Sequence, residues 1–491
     1  MKTPADFDTA EIFKGLMETV KNNYPNADLD MVGLAYEFAE KAHGEQKRAS
    51  GEPYINHPLR TAITLAEMRM NLPIVIAALL HDVPEDTVIS LKEIEKNFGE
   101  DIALMVEGIT KLGKLKYRGV ERYAENLCKM FLAMSRDIRT IFIKFADRLD
   151  NLKTLSALSP EKQKRIALEV IEIYAPIANR LGMGEIKGQL EDEAFRYVYP
   201  KEYEYVKGLI DDRVKEKEDY IERVCQILKD ELKNSEVPVE DVYGRRKHLW
   251  SLYRKILRYN WDLNKIFDIF AVRVIVPTLA DCYAAMGIVH QKWKPLKGRI
   301  KDYIAQPKPN GYQSLHTTVF CEDGEVLEIQ IRTEQMHEAS EYGIAAHWHY
   351  DETGKKDNIR QVKLQWLEEL AKIQKEIKGV NFLQSLEEMK IDLFQNRIFV
   401  FTPKGDVIEL PEESTPVDFA YAVHTDVGKK CIGARINGEM VSLDRKLFSG
   451  DVVEIITDRN RKCPSVDWLK FVKTKGAKDK IKTAVKQNKR M

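Results

Sequence analysis

No Cys-x-x-Cys pair occurs in this 491-residue sequence, and its six cysteines (Cys128, Cys225, Cys282, Cys321, Cys431 and Cys463) stand far apart. That excludes a thiolate zinc cluster, a dithiol redox motif and a disulfide-stapled scaffold, and it predicts reduced thiols. No stretch reaches the ~18 apolar residues of a membrane span; the longest candidate, Leu72 to Leu80, is short enough to be a buried helix. The opening MKTPADFDTAEIFKG lacks the apolar core and small-residue cleavage site of a secretory signal. We therefore expect a cytoplasmic protein with no membrane partner. Net charge is also missing, because 77 Lys and Arg balance 77 Asp and Glu, so no field over the whole molecule draws it onto nucleic acid or lipid. Internal repeats and low-complexity tracts are absent, and 44% hydrophobic with 31% charged residues is ordinary globular composition. At roughly 100–200 residues per domain, the length predicts about three domains.

The pattern of apolar residues changes along the chain. Residues 1–200 read as helices, with apolar spacings of three and four in AYEFAEKAH, RTAITLAEM, NLCKMFLAM and RIALEVIEIYAPIANRL. Residues 201–236 are dense in charge and read as a mostly solvated helical connector. From Val237 to Tyr350, β-branched alternation in VPVEDVYG, IFDIFAVRVIV, SLHTTVFC and EVLEIQIRT, with helical HLWSLYRKILR and ADCYAAMGIVHQKW between, predicts an α/β domain. A second helical connector follows over 351–395. Short strands around helical VDFAYAVHT then predict a small α+β domain of β-grasp type over 396–458, and a basic tail closes the chain over 459–491.

The helical region holds a constellation suited to a metal. YINHPLR supplies His57, LLHDVPEDT supplies His81 and Asp82, and KFADRLDNLKTL supplies Asp147. Two imidazoles and two carboxylates without a thiolate suit Mn²⁺, Fe²⁺ or Zn²⁺. A histidine alone is more often a satisfied core or surface residue. Here an adjacent ionisable pair ends the apolar run PIVIAALL, where burial costs free energy unless a cation or partner compensates. Asn151 lies four residues after Asp147 on one expected helix and can project beside the ligand, and Glu85 and Asp86 are the nearest carboxylates for proton transfer. A divalent ion there would make a water nucleophilic near neutral pH.

The α/β domain holds a second constellation. In GRRKHLWSLYRK, Arg245, Lys247, Ser251 and Lys255 cluster across a strand-to-helix junction, suited to several phosphates of one polyanion. A solvated basic face is the plain alternative. Asp268 and Glu328 lie on separate expected strands and, if adjacent, can share Mg²⁺ on a triphosphate. The polar loop LKGRIKDYIAQPKPNGYQSLHTT carries Arg299, Lys301, Lys308, Asn310, Tyr312, Gln313 and His316, with Tyr312 presented by an Asn-Gly turn for stacking on a base.

On RASGEPYINHP, LLHDVPEDT, KFADRLDNLKTL, GRRKHLWSLYRK, RIKDYIAQPKPNGYQSLHTT, EIQIRTEQMHEASEYGIAAHW and VFTPKGDVIELPEESTPVDFAYAVHTDVG, the sequence resembles the long RelA/SpoT homologues over nearly its whole length. The resemblance implies an all-α HD-type hydrolase domain, an α/β nucleotidyltransferase-like synthetase domain and a TGS domain. It implies two activities: pyrophosphate transfer from ATP to the 3′-hydroxyl of GDP or GTP with Mg²⁺, giving (p)ppGpp and AMP, and removal of that pyrophosphate with Mn²⁺. It makes His57, His81, Asp82 and Asp147 the metal ligands, Glu85 and Asp86 the catalytic acids, and Arg48 with Asn151 substrate contacts. In the synthetase it makes Asp268 and Glu328 the Mg²⁺ carboxylates, with Glu328 also accepting the 3′-hydroxyl proton. Arg245, Lys247, Ser251 and Lys255 would hold ATP with Arg273 beside the adenine, and Tyr312 would stack the guanine among Lys301, Lys308, Asn310, Gln313 and His316. Deacylated tRNA and the ribosome are the expected partners of the TGS domain, with His424 the candidate tRNA contact. Arg299-Ile300-Lys301-Asp302 matches the basic variant of bifunctional members. Ala49, Pro84 and Arg246 depart from the usual pattern without removing a catalytic group. The family pattern continues beyond TGS into helical, zinc-finger and ACT-like domains, whereas this sequence ends at Met491, which puts ribosome docking in question. The alternatives are a hydrolase-dominant enzyme with an impaired synthetase, or a tRNA- and ribosome-linked sensor acting through TGS.

Overall fold

A computed structural model describes residues 8–25, 28–113, 136–259, 261–262, 266, 269–308, 310–344, 397–403, 407–448, 451–458, 461 and 463–488. The chain divides into two compact units, Met1–Glu376 and Ile377–Met491. Asp268 and the expected connector over 351–395 lie outside the described residues.

The first unit opens with helices α1 (Thr9–Asn23), α2 (Leu29–His43), α3 (Asn56–Glu67), α4 (Leu72–Leu80), α5 (Val83–Asp86), α6 (Leu91–Phe98) and α7 (Glu100–Gly113). After the break come α8 (Arg139–Lys153), α9 (Pro160–Glu169), a π-helical turn (Val170–Tyr174), α10 (Ala175–Arg180) and α11 (Gly184–Val198). Local chemistry sets their starts. Asp8 and Asp28 cap α1 and α2 by accepting backbone N–H groups, and Ser90 with Glu93 closes a capping box on α6. The apolar run becomes α4, wholly buried from Ile74 to Leu80. It stops at Leu80, and Pro84 sits in the first turn of α5, where a missing N–H costs nothing. His81 and Asp82 therefore occupy the link between two helices. Helices α3, α4 and α8 pack together, which brings the ends of three distant segments to one place.

The 35-residue α12 (Pro200–Asn234) follows. Its charge density suggested a solvated connector, yet Val206, Ile210, Tyr220, Val224, Leu228 and Leu232 form a buried stripe within the core of the α/β region. A stripe this narrow is masked in sequence by the charged residues on the other faces. Against it lies β1 (Asp241–Arg246), followed by α13 (Leu249–Arg258), β2 (Phe270–Val276), α14 (Leu279–Lys292), β3 (Lys301–Asp302), β4 (Leu315–Phe320), β5 (Val326–Thr333) and α15 (Glu334–Glu341). The sheet order is β1-β2-β5-β4-β3, with β2 and β5 parallel and the other pairs antiparallel. Glu328 stands opposite Ala271 and Thr318, and His316 pairs with both Gln330 and Lys301. Side chains alternate across a sheet, so Lys301, His316, Glu328 and Gln330 share one face with the pocket described below.

In the second unit, β6 (Arg397–Phe401) pairs antiparallel with β7 (Val407–Pro411). After α16 (Pro416–Val423) and α17 (Thr425–Lys430), a three-stranded sheet orders β8 (Cys431–Ile436) between β10 (Val453–Thr457) and β9 (Glu439–Val441). The expected basic tail is largely folded: α18 (Lys475–Asn488) places Ala477 and Ile481 in one core with Trp468, Val472 and Tyr421. The buried Asp418 carboxylate ties it down, accepting from Thr415 N and Oγ1, Lys473 N, and Thr474 N and Oγ1 at 2.7–3.1 Å.

Candidate functional site

The first site forms where α3, the α4–α5 link and α8 meet. His57, His81 and Asp147 are buried, and one ligand atom from each lies within 4.8 Å of the others. His57 Nε2 is 3.3 Å from Asp147 Oδ1 and 3.5 Å from Asp82 Oδ2, while His81 Nε2 is 3.2 Å from Asp82 Oδ1. His81 donates its Nδ1–H to the Ala78 carbonyl at 2.7 Å, and its buried Nε2 has no hydrogen-bond partner among the described residues. That assignment leaves an imidazole lone pair aimed at carboxylates, a poor hydrogen-bonding arrangement and a good donor set for a divalent ion.

Asp150, absent from the expected set, decides the orientation of His57. Its Oδ2 accepts His57 Nδ1–H at 2.6 Å, and Arg60 Nε (2.6 Å) and Arg48 Nη1 (3.0 Å) neutralise it. Burial alone would lower the His57 pKa, but Asp147 and Asp150 outweigh it and raise it to about 9. Burial likewise opposes ionisation of Asp150, yet His57 and Arg60 hold it at about 2. Lys144 contacts Asp147 Oδ2 at 2.5 Å. Lys144, Asp147, Asp150 and Asn151 fall at helical intervals on α8, a spacing that the sequence displays but that only packing against α3 makes meaningful.

Arg48 reaches Asn151, which in turn donates to Asp147. Beside them opens a cavity of about 200 Å³ lined by Arg48, Asn151, Thr154, Leu155 and Ile166. Glu85 and Asp86 are exposed on α5. Tyr54, another residue missed in sequence, donates to Asp86 Oδ2 (2.6 Å) and lies 2.9 Å from Asp82 Oδ2, while Gln46 holds the Asp86 carbonyl at 2.8 Å.

The second site is a cavity of about 380 Å³ on the sheet face. Of the expected residues, Arg245, Lys247, Ser251, Lys255, Lys301, Lys308, Tyr312, His316 and Glu328 line it. Lys247 precedes α13 rather than lying on it, yet the turn of chain still delivers it beside Ser251 and Lys255. Glu328 accepts from Gln330 Nε2 at 2.8 Å and stands 3.4 Å from His316 Nδ1. Burial resists its ionisation, but His316 and Lys247 hold it well below the usual carboxylate range. His316 itself is pushed down by burial against the pull of Glu328, and its Nε2 meets the Tyr312 hydroxyl at 2.8 Å. The Lys308 ammonium lies 4.6 Å from the ring centroids of both Tyr303 and Tyr312.

Three expected contacts lie off the cavity lining. Asn310 donates to the Asn179 carbonyl (3.3 Å) and Gln313 to the Ile304 carbonyl (3.2 Å), so both brace the loop. Arg273 is buried, ion-paired with Glu341 at 3.0 Å and hydrogen-bonded to the Tyr243 hydroxyl at 3.2 Å. Conversely, Lys187, Gly188 and Glu191 of α11 form one wall of the cavity, and no motif marked them. His424 is exposed, caps α17 by accepting Asp426 N at 3.2 Å, and belongs to neither site.

Residues 35–184 match the HD domain model, 244–355 the model of a region found in RelA/SpoT proteins, and 398–457 the TGS domain model. The chain is 46% identical to a GTP pyrophosphokinase of Myxococcus xanthus over 96% of its own length and 62% of that protein's. It is 48% identical to a guanosine-3′,5′-bis(diphosphate) 3′-pyrophosphohydrolase of Aquifex aeolicus, covering 96% and 67% respectively. A bifunctional (p)ppGpp synthase/hydrolase, SpoT, of Escherichia coli is 43% identical, with 98% and 68% covered. The chain thus spans about two thirds or less of these relatives' lengths. No helix among the described residues is long and apolar enough to cross a membrane.

Proposed function

Because this chain belongs to the RelA/SpoT family, we propose that it is a bifunctional alarmone enzyme, making (p)ppGpp and AMP from ATP and GDP or GTP and hydrolysing (p)ppGpp to GDP or GTP and pyrophosphate. The observation that carries this reading is the presence, within one compact unit, of two pockets of opposite character. One is a buried His/Asp cluster and the other a cationic cavity with Glu328 on its sheet face.

In the hydrolase, His57, His81, Asp82 and Asp147 hold the cation, Mn²⁺, which suits a mixed nitrogen and oxygen donor set. Such an ion, when bound, acidifies a water and polarises a phosphoryl oxygen. Asp150 keeps the His57 lone pair on Nε2, Arg48 and Asn151 bind the substrate at the mouth of the 200 Å³ cavity, and Glu85 and Asp86 move protons, with Tyr54 aiming Asp86. In the synthetase, Arg245, Lys247, Ser251 and Lys255 take the ATP phosphates, with Arg273 beside the adenine once it leaves Glu341. Tyr312 stacks the guanine, Lys301, Lys308 and His316 line its site, and Asn310 and Gln313 hold the loop. Asp268 and Glu328 would carry Mg²⁺. Glu328 takes the 3′-hydroxyl proton as the new oxygen–phosphorus bond forms at the β-phosphorus of ATP and AMP departs with the electrons of the broken bond. The TGS domain would meet deacylated tRNA through the exposed His424, and a cytoplasmic enzyme has access to these nucleotide substrates.

Asp147→Asn removes a ligand and tests the division of labour. We expect loss of Mn²⁺-dependent ppGpp hydrolysis with ATP- and GDP-dependent synthesis retained, both assayed without ribosomes. Normal hydrolysis by the variant, or no synthesis by the parent with Mg²⁺, would overturn the corresponding half.

A further inference from the structure

The nucleotide cavity on the sheet is not closed by the α/β region alone. One wall is α11, the last helix of the N-terminal helical region, which presents Lys187 and, one turn on, Glu191. Glu191 is 5% exposed, and its Oε2 has no hydrogen-bond partner among the described residues. Burial raises its pKa, as an unpartnered carboxyl requires. A buried polar atom left unsatisfied costs free energy, so a carboxylate held this way at a cavity wall marks a contact that something else completes.

The wall is held in place. His248, which precedes α13, donates Nδ1–H to Asp192 Oδ2 at 2.9 Å and stands 3.7 Å from Glu185 Oε2, while Trp250 N donates to Asp192 Oδ1 at 2.9 Å. The imidazole lies so close over α11 that a Cβ on Gly188 would come within 2.1 Å of His248 Nε2. Helix α11 is thereby fastened to the first turn of α13, which carries Ser251 and Lys255. Its far end is fastened to α8, through Arg196 Nη2 and Tyr197 Oη on the Leu152 carbonyl at 3.0 and 3.4 Å.

We propose that Lys187 and Glu191 form a nucleoside-polyphosphate subsite that the helical region contributes to the synthetase cavity. The ammonium takes a phosphate oxygen, and the free carboxylate oxygen accepts an N–H or O–H of the nucleoside. A carboxylate repels phosphate, so the two residues must address different parts of one ligand, and their separation by a single helical turn sets the distance between those parts. The proposal rests on the reading of this cavity as the nucleotide site. Its consequence is that ligand in the synthetase touches the helix that also holds the end of α8, the helix bearing Asp147.

The test is calorimetric titration of the full chain with a non-hydrolysable ATP analogue and, separately, with GDP, each with Mg²⁺, on the parent and on Lys187→Ala, Lys187→Arg and Glu191→Gln, with melting curves as the control for folding. Loss of one charge-assisted contact should weaken at least one of the two nucleotides about tenfold, and Lys187→Arg should recover most of it. With the corresponding nucleoside alone, the Lys187→Ala effect should vanish and the Glu191→Gln effect persist. Folded variants that bind both nucleotides within twofold of the parent would overturn the subsite and leave the cavity's function standing. A Lys187→Ala defect equal for nucleotide and nucleoside would overturn the phosphate contact, and a parent that binds neither nucleotide would overturn the reading of the cavity itself.

Discussion

Replacing Asp150 by Asn should damage hydrolysis through the metal, although Asp150 is not a ligand. The parent carboxylate accepts from His57 Nδ1, Arg60 Nε and Arg48 Nη1. An amide offers one accepting atom, and where its NH₂ faces His57 the ring is driven to the tautomer protonated on Nε2, so the nitrogen that faces Asp147 and Asp82 keeps its proton where a cation would need a lone pair. Removing such an orienting partner typically costs about 10- to 100-fold in metal affinity, equivalent to roughly 1.4–2.7 kcal/mol. Stability falls as well. The Asp150 pKa is held at about 2 against an ordinary 3.8, a difference worth about 2.5 kcal/mol of folding free energy. Because the folded value is depressed, that contribution is complete above about pH 4 and is lost as the pH falls through 2. The assay is the Mn²⁺ dependence of ppGpp hydrolysis, with free Mn²⁺ followed by electron paramagnetic resonance. The midpoint should rise at least tenfold while saturating Mn²⁺ recovers much of the rate and synthesis continues. A Mn²⁺ midpoint within twofold of the parent, even with a lowered melting temperature, would refute the orienting role and leave Asp150 a structural ion-pair partner.

Glu328→Gln should cut pyrophosphate transfer from ATP to GDP by about 10²-fold or more with ppGpp hydrolysis retained; equal rates of transfer would show that the proton goes elsewhere. His248 is raised to about 9 because Asp192 and Glu185 outweigh burial, so its roughly 3 kcal/mol of stabilisation is complete below pH 6.5 and lost as the pH rises through 9. The melting temperature should therefore fall more steeply between pH 7 and about 9.5 in the parent than in His248→Gln, and parallel curves would contradict the clamp. Asp418→Ala removes the acceptor of five hydrogen-bond donors and should cost about 3 kcal/mol or more. Limited proteolysis should then cut within Lys475–Asn488 well before the parent is cut there.

The two sites differ in how they protect their charges. In the hydrolase cluster each buried carboxylate has a cationic partner from the chain: Lys144 for Asp147, and Arg48 and Arg60 for Asp150. Breaking one such pair leaves a buried charge exposed to a low-dielectric surround, which is why single substitutions there should be costly. In the cavity on the sheet face the excess is cationic, which suits a polyanionic ligand.

Sequence alone determined the type of most elements and singled out the residues that form the two candidate sites. Apolar spacing is a local property, and it separated the helices up to Val198 from the strands at Asp241–Arg246, Phe270–Val276, Leu315–Phe320 and Val326–Thr333. The ligand candidates His57, His81, Asp82 and Asp147 were legible because imidazoles and carboxylates flanking apolar runs are costly without a partner. Tertiary structure decided what depends on which faces meet. The buried stripe of α12 was hidden under charge on its other faces, and α18 looked like a basic tail because four of its five lysines are exposed while Ala477 and Ile481 are buried. Tyr54 and Asp150 lie inside the quoted motifs but were given no role there, and Lys187 and Glu191 lie in none of them. Asp150 matters because α3 packs on α8 and brings His57 Nδ1 within 2.6 Å of its carboxylate, and Glu191 because α11 closes a cavity built by β1, β3, β4 and β5, all further along the chain. Such roles arise from long-range packing, which no local window of sequence contains.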